Sequence, residues 1–416
     1  MVFSRSVHGV LSQSRILFWG GIGVIVASML LQVVLTRSSL AFFRSDDRDP
    51  RWYQVQDFTY HLTLSDALWR KVIDDPYQDS MQRKAISERY GIEAPAAMPV
   101  GISPGTFYVL YPFVILEAAM PGGGYFAWSL VVCLLLVGAA ASCRRTAVAG
   151  GVVLFLALAV TTESRIIELG QTSLAVFASL IILSQLPRDS SRGKALGILA
   201  RGATLALAVA VVSCKLPIWI ASVVYFGVKA QRATVSLLVG GFALLQGAAA
   251  LMWGHSMLGS YLIALLNYQR LAPGSLSRMS VHTMTPYLLE NVSAAWGLPL
   301  ITGAFLVWVL TVGFALVAPA KFWGSSSGWL AFWAYALLGA YVPWHDRLLF
   351  MIPWMLLLIE DSTPASNTPI LFLALAWLVS TTIGLTVHQY MLLGLFGWLA
   401  IVLARHPSQS VQRIGS

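Results

Sequence analysis

Long apolar runs broken by short polar or basic connections recur from one end of this chain to the other. The first, Ile16 to Leu35, follows a leader containing Arg5 and Arg15 and continues into Arg37 and Phe42-Phe43-Arg44 without a small-residue cleavage site, which reads as a retained signal anchor. A polar stretch of about 65 residues comes next. Further apolar segments lie near 104–119, 124–142, 146–162, 166–186, 194–213, 216–228 and 233–253, and, after a mixed stretch from Gly254 to Asn291, near 296–317, 328–342, 347–359, 368–386 and 389–404. Several reach the roughly 18 residues that argue for a bilayer span. In hydrocarbon the backbone must satisfy itself, so such spans are helices. The expected fold class is an all-α polytopic integral membrane protein, a single transmembrane domain over 1–416, with about 12 transmembrane helices and extracytoplasmic loops at 36–103 and 254–295.

Composition agrees with the pattern: 57% of the 416 residues are hydrophobic and 11% charged, against about 25% charged in an average soluble domain. The net charge of +9 does not point to nucleic acid. The basic residues sit in short connections (Arg144-Arg145, Arg188 with Arg192 and Lys194, Lys229 with Arg232, Lys321, Arg405), where the positive-inside rule places cytoplasmic loops. With both termini cytoplasmic the number of crossings must be even, while the segments number an odd count. The short segment bracketed by Pro104 and Pro121 is therefore expected not to span. Cys133, Cys143 and Cys214 show neither metal nor disulfide spacing and read as small packing residues.

Chemistry concentrates in the first loop, which carries nine Lys/Arg and ten Asp/Glu. Within it Phe58, Leu62, Trp69 and Val72 recur near helical spacing, predicting an amphipathic helix on the membrane surface opened by Asp57. A second helix is predicted from Asp79 to Tyr90, stopped by Gly91, with a turn at Asp74-Asp75-Pro76-Tyr77 before it. Two roles suit Asp57: a cap for the first turn, or a carboxylate at the water–membrane boundary that takes a proton from a hydroxyl. There is no strand, glycine-rich loop and helix pattern for a nucleotide sugar. Apart from the run Asp46, Asp47 and Asp49, there is no carboxylate cluster suited to Mg or Mn, so metal-independent and cofactor-free chemistry is expected.

A set of short motifs in order resembles one enzyme group. Asp57 with Tyr60 soon after the first apolar helix, Pro76-Tyr77, the returns at Ser103-Pro104 and Tyr111-Pro112, Gly170-Gln171 opening an apolar helix, Lys215-Leu216-Pro217 and Trp344-His345 look like the polyprenol-phosphate-sugar-dependent glycosyltransferases of the GT-C superfamily. The pattern is most similar to family 87, the branch with the mycobacterial mannosyltransferases of the phosphatidylinositol mannoside pathway. Thr172-Ser173 departs from the valine and asparagine more usual there, and Asp66-Ala67-Leu68-Trp69 stands where a glycine-rich continuation is usual.

The resemblance implies a GT-C-like bundle in a bacterial cytoplasmic membrane, with its site facing the extracytoplasmic side. It implies an inverting transfer of a hexose, mannose foremost, from a polyprenyl-phosphate donor to a glycolipid or glycan acceptor, with Asp57 as base and with the chain acting as a monomer among membrane lipids. Lys215, Arg165, His345 and Arg347 are then candidates for the donor phosphate, and Tyr60, Gln171 and Arg270 for substrate contact. Each has an alternative: Lys215 snorkels to water, Arg165 pairs with Glu163 or Glu168, His345-Asp346-Arg347 is an exposed turn, and Tyr268-Gln269-Arg270 orders the second loop. Two other functions fit the same apolar pattern. One is a lipid-linked oligosaccharide ligase or polymerase, whose large loop lies in the second half. The other is a transporter or flippase, for which internal repeats and paired broken helices are expected.

Overall fold

The computed structural model describes residues 15–44, 57–91, 100–120, 122–143, 172–186, 195–228 and 231–271, with a few helical positions between 152 and 160. The chain divides into two compact units, Met1–Leu276 and Ser277–Ser416, and everything described lies in the first. Among the described residues every regular element is an α-helix: α1 (Arg15–Arg44), α2 (Asp57–Trp69), α3 (Asp79–Tyr90), α4 (Pro104–Val109), α5 (Tyr111–Ala119), α6 (Gly123–Ser142), α7 (Ser173–Gln185), α8 (Ala195–Ser213), α9 (Leu216–Val228), α10 (Arg232–Trp253) and α11 (Ser256–Leu271).

Two of these, α6 with 20 residues and α10 with 22, are long and apolar enough to cross a bilayer. At about 1.5 Å per residue each reaches the ~30 Å of a hydrocarbon core. Their surroundings differ. One face of α6 is buried from Tyr125 to Ala140, whereas α10 leaves Leu244 73% and Leu251 91% exposed. Side chains this apolar and this open suit contact with lipid rather than water. Helix α1 is also longer than its apolar run: it continues to Arg44, so the start of the predicted first loop is helical. The later segments near 296–404 lie outside the described residues.

The helices pack in a chain of neighbours. α1 lies on α6, α6 on α5 and α7, α7 on α8, and α8 on α9 and α10. α9 is fastened to α10 by the Trp219 indole, which stacks on Phe242 and donates from Nε1 to the Leu238 carbonyl at 2.9 Å. Against this layer sits a smaller group made from the polar stretch: α2 packs on α3, α4 and α5, and α4 packs on α10.

The segment 104–119 is not one helix. It breaks at Leu110 into six- and nine-residue pieces, each with proline in its first turn. Both prolines set φ for a helix start and lack the N–H that a continuing helix needs. The two pieces together hold too few residues to match the ~30 Å core as a single straight span.

α5 turns back into α6 through Gly122, which adopts φ 81, and the hairpin is tight. A Cβ on Gly124 would lie 2.6 Å from the Phe113 carbonyl oxygen and 2.9 Å from Leu62 Cδ1. Glu117, assigned no role from sequence, reaches across the turn. Its two carboxylate oxygens accept the Gly122 and Gly124 N–H groups at 3.0 and 3.1 Å, supplying acceptors and negative charge at the N-terminus of α6.

Glycine substitutions therefore separate close approach from helix propensity. Gly124→Ala lowers stability by about 1–3 kcal/mol through overpacking. Gly202→Ala, at a position in α8 with open space around its Cβ, raises it by about 0.5–1 kcal/mol. Thermal unfolding of the two variants in one detergent checks the opposite signs.

Candidate functional site

Helix α2 was expected to be amphipathic, with one apolar face, and it is not. Phe58, Tyr60, Leu62, Thr63, Leu64, Ser65, Ala67 and Leu68 are all buried, so the helix is enclosed on nearly every side. Its buried hydroxyls are accommodated by hydrogen bonds within the protein. Thr63 Oγ1 donates to the Thr59 carbonyl at 2.9 Å and lies 2.8 Å from the Tyr90 hydroxyl, while Ser65 Oγ donates to the Phe107 carbonyl at 2.9 Å. The sequence spacing missed this because Thr and Ser count as polar in a periodicity reading, yet bury readily once their single hydroxyl is paired.

Asp57 is the first residue of α2, in the first turn where a carboxylate is favoured; its side chain lies outside the described residues. Tyr60, a candidate for substrate contact, is 1% exposed, and its hydroxyl donates to Gln82 Oε1 on α3. Gln82 in turn donates from Nε2 to the Pro76 carbonyl at 2.8 Å. Tyr60 thus joins α2 and α3 to the turn between them.

That turn forms as the sequence predicts. Asp75 Oδ1 accepts the Tyr77 N–H at 2.9 Å and Oδ2 accepts Gln78 Nε2 at 3.0 Å, an Asx turn ahead of Pro-started chain. α3 then runs to Tyr90 and ends on Gly91 at φ 66, also as predicted. The Tyr77 ring packs on Phe107 and Tyr261, and its hydroxyl donates to the Ile102 carbonyl at 2.8 Å. Burial, with Tyr261 and Asp75 close by, holds the Tyr77 phenol well above its ordinary pKa, so it remains a protonated donor.

From Ile102 the network enters the apolar layer. The Ser103 N–H donates to the Cys214 carbonyl at 3.0 Å and Ser103 Oγ donates to the Ser213 carbonyl at 3.0 Å. Gln246, on α10, donates from Nε2 to Ser103 Oγ at 3.0 Å and accepts the Gly105 N–H on Oε1 at 3.1 Å. Gly105 is required here, since a Cβ would stand 2.8–2.9 Å from Leu245. Ser213 and Cys214 end α8, and the following residue is Lys215, half-buried in the link to α9.

Two motifs distant in sequence, Pro76-Tyr77 and Ser103-Pro104, thus lie on one hydrogen-bonded path that ends on Ser213 and Cys214, immediately before Lys215-Leu216-Pro217. Gln246 precedes Trp253 by seven residues, so the junction is about 10 Å short of the end of α10 along its axis. At that end an aromatic group gathers: Trp69 stacks on Tyr111 at 3.9 Å between centroids and meets Trp253 and Tyr108 edge-on or tilted. Tyr108 and Tyr111 remain part-exposed, as aromatic side chains do at a membrane–water boundary.

Of the other candidates, Arg270 falls in the last turn of α11, its side chain outside the described residues. Arg165, Gln171, His345 and Arg347 lie outside the described residues. Among the described residues no cluster of three or more His, Cys, Asp or Glu is placed to hold a metal. The cysteines are unbonded, with Cys143 and Cys214 buried. Gln246, Gln82 and Glu117 are the residues that sequence reasoning passed over, and Ser103 was read only as part of a proline-marked return. Gln246 carried a signal: an amide inside the apolar run of α10 must find partners in another element. Comparison of the chain with family models, with curated proteins and with solved structures finds no match.

Tyr60→Phe strands the buried Gln82 Oε1 and is expected to cost about 1–3 kcal/mol. Thermal unfolding in detergent beside Arg83→Ala checks this. Arg83 forms an i,i+4 ion pair with Asp79 at 2.8 Å in which both side chains are exposed, so that variant should shift the transition little.

Proposed function

We propose that the chain is an inverting glycosyltransferase that moves a hexose, mannose in first place, from a polyprenyl-phosphate donor to a lipid or glycan acceptor. It acts on the extracytoplasmic side of a bacterial cytoplasmic membrane, within a bundle of about twelve spans. The observation that carries the reading is the junction between the return of the first polar stretch and the Lys215 link. It sets the folded group opened by Asp57 against the same end of α8 and α10 as the one lysine of the resemblance.

Sidedness supports it. The basic connections Arg144-Arg145, Arg188 to Lys194 and Lys229 to Arg232 fall at the opposite ends of α6, α8, α9 and α10 from Gly122, Cys214 and Trp253. A positive-inside assignment therefore places α2 to α5, the Lys215 link and the Trp253 aromatic group together on the outer side.

In this reading the Asp57 carboxylate accepts the proton of the acceptor hydroxyl. The hydroxyl oxygen attacks the anomeric carbon from the face opposite the leaving group, the anomeric C–O bond breaks, and its electron pair departs with the lipid phosphate. Charge grows on that phosphate. The Lys215 ammonium, with Arg165, His345 and Arg347, supplies positive donors for it, while Gln171 and Arg270 contact substrate. The donor's lipid tail dissolves in the bilayer, which accounts for a transferase without any nucleotide-binding signature.

Purified protein in lipid nanodiscs, given radiolabelled polyprenyl-phosphate mannose, glucose or arabinose, should transfer one of them. Asp57→Asn should slow transfer by about 10²–10⁴-fold, the usual worth of a positioned base. Undiminished transfer by that variant removes Asp57 as the base, and no transfer from any donor by the wild type removes the reading.

A further inference from the structure

We infer that Gln246 is a positioning residue for Lys215: its amide, through Ser103, sets where the α8–α9 link stands under the first polar group. The inference rests on the proposed reading for its meaning in catalysis, but the geometry is independent of it. The amide joins α10 to the segment 103–105, and Ser103 in turn joins that segment to the end of α8. Gln246 is 9% exposed within the apolar run of α10, and both ends of its side chain are used.

The donor count at Ser103 closes. Its single hydroxyl proton goes to the Ser213 carbonyl at 3.0 Å, leaving oxygen lone pairs to accept Gln246 Nε2 at 3.0 Å and the Thr106 hydroxyl at 3.2 Å. Gln246 Oε1 meanwhile takes the Gly105 N–H, one of the first-turn donors of α4 that no residue within that helix can satisfy.

An apolar side chain at 246 cannot be neutral here. Removing the amide strands the Gly105 N–H and takes one donor from Ser103 in a buried setting, where each loss is felt in full. The backbone answer open to the segment is a shift of Ser103 and Gly105 away from α10. Ser103 is bonded to Ser213 and Cys214 by its own hydroxyl and N–H, so the shift is passed to the next residue, Lys215. Gly105, already against Leu245 without a Cβ, allows no closer approach that would compensate. Distance alone between Gln246 and the Lys215 link does not carry this argument; the shared Ser103 does.

The test reads the placement of residue 215 directly. Lys215→Cys is made in a background with Cys133, Cys143 and Cys214 changed to Ser, and its modification by a charged, membrane-impermeant methanethiosulfonate is timed in nanodiscs holding the full chain. Adding Gln246→Leu should change that rate by about tenfold. Gln246→Glu, whose protonated carboxyl keeps one donor and one acceptor, should bring it back towards the starting rate. Thr234→Val, buried on the same helix but outside the junction, should lower the unfolding temperature and leave the rate alone. If Gln246→Leu does not fold, Ser103→Ala makes the same comparison.

An unchanged rate in both Gln246→Leu and Ser103→Ala, or an equal change in Thr234→Val, overturns the inference. In the transfer assay with Lys215 intact, Gln246→Leu should raise the donor KM about tenfold with a smaller effect on kcat. A wild type without transfer activity sinks the glycosyltransferase reading and leaves the modification rates to judge the positioning role.

Discussion

The arrangement depends on one constraint: backbone and amide groups that enter an apolar helical layer must arrive with their partners. α4 is a six-residue helix whose first residues are buried, and so short a helix leaves most of its end groups without intrahelical bonds. It is tolerated because Gln246 receives the Gly105 N–H and because the last carbonyls of α8, which also lack helical partners, receive the Ser103 N–H and hydroxyl. Two defects in different helices cancel. Proline at 104 contributes by having no N–H to satisfy. In a wholly apolar surrounding the same break would cost several kcal/mol per unpaired group.

From that junction outward the polar group follows. Ser103 fixes the return of the chain, Ile102 accepts the Tyr77 hydroxyl, and the Asp75 turn presents Pro76 to Gln82, which reaches Tyr60 on α2. α2 is thereby held at depth although its sequence contains Thr59, Thr63 and Ser65. Aromatic packing closes the other side, with Phe58 stacked on Trp128 of α6 at 5.3 Å. The group therefore has a core of its own, and its docking on the long helices uses hydrogen bonds at Ser103 and Gly105 as well as apolar contact.

What was legible in the chain was whatever depends on local chemistry. The apolar runs gave the positions of α6, α8, α9 and α10 to within a few residues, because a run must match a helix whatever it later touches. Gly91 marked the end of α3 through its left-handed geometry, and Asp75-Pro76 marked the turn. What was not legible depends on partners far away in sequence. The burial of α2 needed α3, α4 and α5 around it, and the period of Phe58, Leu62 and Trp69 describes only one of its faces. α1 continues beyond Leu35 to Arg44 because the polar residues after Leu35 do not themselves stop a helix. Of the site, the link carrying Lys215 could be placed from Pro217 and the neighbouring apolar runs. Its bonding to Ser103, 110 residues earlier, could not.

Hydrophobic burial alone would not choose this geometry. Helices surrounded by lipid gain little by hiding apolar surface from one another, and their relative placement falls to close packing and to polar pairs. Both devices occur at one spot: Gly105 lets α4 approach the backbone of α10 at Leu245, and Gln246, the next residue, pairs with what that approach uncovers. Slipping α4 by one residue along α10 would set a side chain against the Leu245 backbone and separate the amide from both partners. The register is therefore defined by a steric and a polar condition that must be met together, and that makes the position of the Lys215 link a defined one.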